Sequence, residues 1–231
     1  MRKKVSFWTV FFLSLFLFMI PCRAAERPDS GSAVQTFAVK KNGLVKEKGK
    51  YRYYRHGRRV KKAWKTIKKK KYYFLSNGDA AVGSVKIKKK YYIFNEKGQL
   101  FTPSANKVVK VGKVKYQVNK KGQAVKGWSK NKKYYFYENG RMVTGTEVFK
   151  EKFYCFKSSG KYDKTRTSQL RKAAKYEKPF AELLALIGEP KKRKYSQGCY
   201  GNGTDCKLTY DNFVVYTSFD EEGVERFMGA E

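Results

Sequence analysis

From Tyr51 onward, aromatic and polar positions alternate in short bursts that recur at a nearly fixed interval. Six turn glycines, Gly57, Gly78, Gly98, Gly122, Gly140 and Gly160, mark the rhythm, 21, 20, 24, 18 and 20 residues apart. The sixth residue before each is Tyr51, Tyr72, Tyr92, Tyr116, Tyr134 and Tyr154, and the fourth is Tyr53, Phe74, Phe94, Val118, Phe136 and Phe156. Residues two apart on a strand share a face, so these positions are expected to form the buried face. The residue between them, Arg52, Tyr73, Ile93, Gln117, Tyr135 or Cys155, varies in character and is expected on the other face. Each unit reads as a strand, a tight turn at the glycine and a returning strand. Asn77-Gly78 and Asn139-Gly140 are the strongest two-residue turn signals, because that turn needs positive φ at both positions. A lone hairpin is marginal in water, so the six units must bury their aromatic faces against one another.

The period changes near Thr167. Leu170, Ala173 and Ala174 recur at helical spacing, and Pro179 and Gly188 bracket a second short helix with Phe180, Leu183, Leu184 and Ile187 on its buried stripe. Short strands follow around Tyr195, at Leu208–Tyr210, at Phe213–Thr217 and at Val224–Met228. The expected fold is mainly β: stacked, solenoid-like β-hairpin repeats over residues 43–165, then a small α+β domain over 166–231 with two helices and an antiparallel sheet of three or four strands. Ahead of the repeats, residues 1–24 combine a basic start, an apolar run from Val5 to Ile20 and a small-residue ending, the pattern of a secretory signal peptide. The run is shorter than the roughly 20 residues a membrane span needs, so no span is expected once it is cleaved. Residues 25–42 read as a linker.

Charge divides the chain in the same place. Of 231 residues, 53 are Lys or Arg and 19 are Asp or Glu. Residues 43–165 hold 35 basic and 7 acidic residues, a charge of +28, whereas 166–231 hold 11 and 10. The repeats are therefore the part suited to a polyanion. Lysine outnumbers arginine 41 to 12. Base-edge and bidentate readout favour arginine's planar fork, while lysine supplies a hydrated point charge, so the expected ligand is a charge-dense, chemically simple polymer. Extracellular nucleic acid, held by stacking and a basic groove, is the less favoured alternative.

The units Gly127-Trp128-SKNKK-Tyr134-Tyr135-Phe136-YEN-Gly140-RMVT-Gly145 and KKKK-Tyr72-Tyr73-Phe74-LSN-Gly78-DAAV-Gly83 resemble the cell-wall-binding repeats of Gram-positive secreted proteins, the group that includes choline- and glucan-binding repeats. The resemblance implies stacked hairpins that attach a protein to teichoic acid or polysaccharide, usually beside a separate effector module. It also implies a three-aromatic box for a quaternary ammonium. One box position, seven residues before the turn glycine, holds Lys50, Lys71, Tyr91, Lys115, Lys133 and Phe153, and only Trp64 and Trp128 stand near the other tryptophan position. The expectation is that charge has replaced complete cages. Candidate polymer contacts are Trp64, Lys71, Tyr73, Tyr91, Trp128, Lys133, Tyr135, Tyr137 and Phe153. The C-terminal run from LIGEP through LTYDNFVVYT resembles a module found behind such repeats in secreted clostridial proteins. It is similar in pattern to the β-lactamase-inhibitor fold, which implies a protein-binding role.

Three cysteines follow the signal segment. Cys199 and Cys206 flank a Gly-rich loop and are expected to form a disulfide worth roughly 2.5 kcal/mol, with Cys155 left over. His56, the one histidine, sits at a turn among arginines, so no His-based triad or zinc site can be assembled. No GxxxxGK loop occurs, and the C-terminal carboxylates crowd one turn rather than oppose across a cleft. The chain is expected to be a non-catalytic secreted surface protein without cofactor or metal. It either attaches to anionic wall polymer and displays its C-terminal module, or acts as an inhibitor or partner-binding protein through residues 166–231 with the repeats for retention.

Overall fold

The computed structural model describes residues 40–197 and 204–231; the expected signal peptide, nearly all of the linker and Cys199 lie outside them. The described residues are mainly β, with many small antiparallel hairpins and two helices. Six hairpins follow one another: β1 (Gly43–Glu47) with β2 (Lys50–Arg55) and the short β3 (Arg58–Arg59), β4 (Ala63–Ile67) with β5 (Lys70–Phe74), β6 (Gly83–Ile87) with β7 (Lys90–Phe94), β8 (Lys107–Val111) with β9 (Val114–Val118), β10 (Gly127–Trp128) with β11 (Tyr135–Phe136), and β12 (Gly145–Phe149) with β13 (Lys152–Phe156).

The hairpin reversals are not where the Asn-Gly signals put them. In β4–β5 the register runs from Ala63↔Phe74 to Ile67↔Lys70, so the tip is Lys68-Lys69, both at positive φ. Lys48-Gly49 and Lys150-Glu151 are tips of the same kind. Lysine runs thus occupy the solvated loops, where a charged side chain loses no hydration. The glycine turns come one strand later and have a different task. After each of the last five, Gly78 to Gly160, the chain makes a single bridge back to its own strand, Phe74↔Ala80 being one, and then bonds the unit before. Ala80 N–H donates to Tyr51 O, Leu100 to Lys71 O, Ala124 to Tyr91 O, Met142 to Lys115 O and Tyr162 to Lys133 O, all at 2.7–2.9 Å. These five bonds hold each unit to its predecessor.

Neighbours on either side cover both faces of the strands. Phe74, Phe94, Val118, Phe136 and Phe156 are buried as expected. So are Ile93 and Gln117 on the face expected to point outward: Ile93 packs with Val111 and Val118 of the following unit. Alternation within one unit could not reveal this, because the covering surface comes from the next.

Beyond the hairpins, α1 (Lys164–Ala173) starts at Asp163, whose carboxylate accepts from Arg166 N–H at 3.0 Å. Helix α2 (Phe180–Ile187) follows Pro179 and stops at Gly188, φ +80°. Both lie against an antiparallel sheet in sequential order, β14 (Lys192–Gln197), β15 (Thr204–Thr209), β16 (Val214–Phe219) and β17 (Glu225–Ala230). Their shared core contains Leu170, Phe180, Leu183, Leu208, Val215 and Phe227, and it also contains Phe153 and Val148 from the last hairpin. Cys206 is a free, buried thiol in this core, its face turned to Thr217 and Tyr195 across the strands. The expected disulfide partner, Cys199, lies outside the described residues, and Cys206 itself packs in the apolar core. Burial pushes its thiol pKa up.

Candidate functional site: two aromatic clusters between hairpins

Trp64 lies opposite Tyr73 in the β4–β5 register, on the strand face away from Phe74. Its ring meets Tyr73 edge-on at 5.3 Å between centroids, and it meets Tyr92 and Phe94 of the next hairpin at 5.1 and 5.8 Å. Trp128 repeats the construction: Tyr135 opposite it at 5.3 Å, then Tyr154, Phe156 and Tyr162 of the following unit at 6.0, 5.8 and 5.1 Å. Both indoles remain open to solvent, at 39% and 37% exposure. They are thus half-covered aromatic walls, each assembled from two successive units.

Around Trp64 the wall bounds a cleft of about 390 Å³, with Tyr92 and Leu100 beside it and Lys65, Lys71 and Lys121 among the lining residues. Apolar rings and ammonium groups therefore face the same space. Such a site suits a ligand that offers a flat or cationic group to the rings and an anionic group to the lysines.

The sequence-expected residues divide unevenly over this geometry. Trp64 and Lys71 line the cleft, with Tyr73 against the Trp64 ring but not in the lining, and Trp128 and Tyr135 meet in the second aromatic cluster. The exposed Lys133 accepts Tyr162 N–H on its carbonyl at the second. Tyr91 is elsewhere, with Lys86 over its ring at 5.4 Å. Tyr137 donates its hydroxyl to the buried Glu147 carboxylate, and burial with this partner holds its proton far above the ordinary tyrosine range. Phe153 is a correction: it is 1% exposed and packs on Phe213 and Phe227 at 5.6 and 6.3 Å. Its strand faces the helical domain, where there is no next repeat to meet. Sequence reasoning missed Tyr92, Tyr154 and Tyr162 as residues of these clusters. The signal was available in the recurrence itself, since Tyr92 and Tyr154 stand at the same place in units that follow a tryptophan unit. Three or more rings converge at each tryptophan once two units are combined.

Comparison with known proteins picks out the same two places. The family model described as a cell wall binding repeat, of the choline-binding type, matches residues 62–80 and 128–142, the two segments that carry Trp64 and Trp128. Those two segments of the chain thus match a choline-binding-type cell wall binding repeat. Among solved structures it resembles choline binding protein F from Streptococcus pneumoniae, determined in the presence of a peptidoglycan analogue, at 27% identity over 53% of this chain and 41% of that one, TM-score 0.37. It also resembles the multimodular pneumococcal cell wall endolysin from phage Cp-1 complexed with choline, at 25% identity over 54% and 37%, TM-score 0.38. The chain spans about two-fifths of the length of these proteins. No curated protein matches it. Among the described residues no helix is long and apolar enough to cross a membrane.

Proposed function

We propose that this is a secreted, non-catalytic surface protein whose stacked, solenoid-like hairpins bind anionic cell-wall polymer, teichoic acid or a related polysaccharide, and display the α+β domain that follows. The observation that carries this reading is the pair of Trp-centred aromatic clusters, each bridging two units, with a lysine-lined cleft at the one around Trp64. In that cleft the rings take a sugar face or a cationic substituent and the lysines take phosphate. The +28 charge of residues 43–165 supports the ionic part, because replacing condensed counterions on a phosphate chain drives association and weakens steeply with salt.

The test is co-sedimentation of the full chain with purified walls before and after teichoic acid extraction, over a salt series and with free choline as competitor. Retention on intact walls, loss on extracted walls and a strong salt dependence are the expected result. Release by choline at low salt identifies the aromatic seat as a cation site, and resistance to choline identifies it as a sugar site. Equal retention on extracted walls at all salt concentrations contradicts the reading.

A second reading, partner binding through the C-terminal domain, is favoured by one observation. Among the described residues strand β14 pairs on one side only, with Tyr195 56% exposed upon it, an edge that can accept another strand. Capture of a protein partner lost on Tyr195→Pro, with wall binding intact, supports it.

A further inference from the structure

A second cleft, of about 420 Å³, opens beside the Trp64 site where the repeat spacing stretches to 24 residues between Gly98 and Gly122. The extra residues form the irregular stretch after Leu100, and that stretch stands as a wall opposite the Lys69–Lys71 end of hairpin β4–β5. Lys69, Lys70, Lys71 and Lys107 line the space, no acidic residue does, and Phe101 and Pro103 form part of its apolar side. The wall is anchored where it begins. Leu100 N–H donates to Lys71 O at 2.8 Å, Phe101 N–H to Ile93 O at 2.9 Å, and farther along Gly112 N–H donates to the Glu96 carboxylate at 2.9 Å. The polar floor is already satisfied: Gln99 donates to Tyr72 Oη at 3.1 Å and accepts from Asn95 at 3.1 Å. The four ammonium groups therefore have no acidic neighbour in the cleft, and their mutual repulsion is relieved by an anion.

We propose that this insertion-built cleft is a phosphate subsite for a phosphodiester-linked polymer, contiguous with the aromatic cleft. Lys71 and Leu100 line both spaces, so a chain whose substituent seats at Trp64 meets Lys71 next and then Lys70 and Lys107. Lysine suits this task because its point charge makes little geometric demand on a flexible phosphate chain. The inference rests on the wall-polymer reading and adds to it a direction of travel and a chemical class.

The test uses the full chain and an oligomer of poly(glycerol phosphate), with oligoglutamate of matched charge as the carboxylate arm. Lys70→Ala/Lys107→Ala is compared with Lys61→Ala/Lys113→Ala, which removes the same charge from exposed sites outside the cleft. The cleft variant is expected to bind poly(glycerol phosphate) about tenfold more weakly at low salt and to lower the log–log salt slope by about 1 to 2, in keeping with loss of two phosphate contacts. The control variant is expected to change affinity by less than about twofold. If native chain binds and the two double variants behave alike, the subsite is wrong while the wall reading stands. If native chain shows no salt-sensitive binding to walls or to the oligomer, both fall. Equal binding of oligoglutamate with the same dependence on Lys70 and Lys107 overturns the phosphate assignment. Thermal unfolding of each variant checks folding, and Lys70→Gln/Lys107→Gln, which keeps the aliphatic stems, replaces any alanine variant that unfolds.

Discussion

Gln117 and Ile93 show how far one side chain can depart from its pattern. They stand at the same place in successive units, five residues before the turn glycine, and both are buried. Ile93 is satisfied there, but the Gln117 side-chain oxygen has no hydrogen-bond partner. A buried, unpaired acceptor costs about 1–3 kcal/mol, so Gln117→Ile should raise stability by about 1 kcal/mol, read as a higher midpoint in denaturant unfolding. Glu147 is the charged counterpart. It is 2% exposed, accepts from Tyr137 and feels Arg141. Burial raises its pKa above the ordinary 4.5 despite those partners. The unfolded chain therefore releases this proton first, and the group's contribution is fully present below pH 4.5 and lost as pH rises through its folded value. Glu47 has the opposite sign. Lys41, Tyr54 and Arg52 hold it at about 2, so its contribution is present above 4.5 and lost as pH falls toward 2. Thermal melts from pH 3 to 8 should show Glu147→Gln gaining on the native chain as pH rises above 4.5; a constant difference would contradict the burial argument.

At the scale of the element, the hairpins were legible and their turns were not. Six units and a buried side chain at the fourth position before five of the six glycines follow from period-two alternation and are found in the structure, whereas Tyr53 is half-buried and, of the six tyrosines at the sixth position, only Tyr72 is buried. Asn-Gly looked like the hairpin tip because its preference for positive φ is strong. The aromatic register overrode it and placed the tip at Lys68-Lys69, at φ +46° and +62°. Lysine is a poor resident of that region, so Lys68→Asn/Lys69→Gly should raise stability by about 0.5–1 kcal/mol, measured as an upward shift in the melting temperature. The glycine turns are constrained instead by the unit before them. A Cβ on Gly122, at φ +77°, would lie 2.6 Å from Leu100 Cγ and 2.7 Å from Phe101 O. Gly122→Ala should therefore cost more than about 1 kcal/mol, more than alanine at Gly49, which has positive φ but open space. The aromatic clusters were only half legible for a related reason. Trp64 and Tyr73 are cross-strand partners within one unit, while Tyr92 arrives from the next, and inter-unit placement is a property of stacking that no single strand's pattern encodes.

For the whole molecule, the last hairpin is where the repeats meet the α+β domain. Thr167 accepts Cys155 N–H at 2.9 Å, Arg171 donates to Phe153 O at 2.9 Å and its guanidinium lies 4.4 Å from the Tyr154 ring. With Phe153 in the same core as α1, α2 and the sheet, separation of repeats and domain at residue 165 would strip that core. Phe153→Ala should cost about 3–5 kcal/mol and lower the stability of the C-terminal sheet, yet leave wall binding of the folded molecules unchanged. Charge, by contrast, is divided sharply, with +28 on the repeats, and that asymmetry together with the aromatic clusters defines the account's central claim. Its most direct test is binding of Trp64→Ala/Trp128→Ala, as the full chain, to purified walls at moderate salt. Loss of about tenfold or more in affinity, at two stacking contacts of about 1–3 kcal/mol each by analogy with base–aromatic stacking, is the predicted result, with the residual binding abolished by high salt. Undiminished binding by a folded double variant would contradict the account.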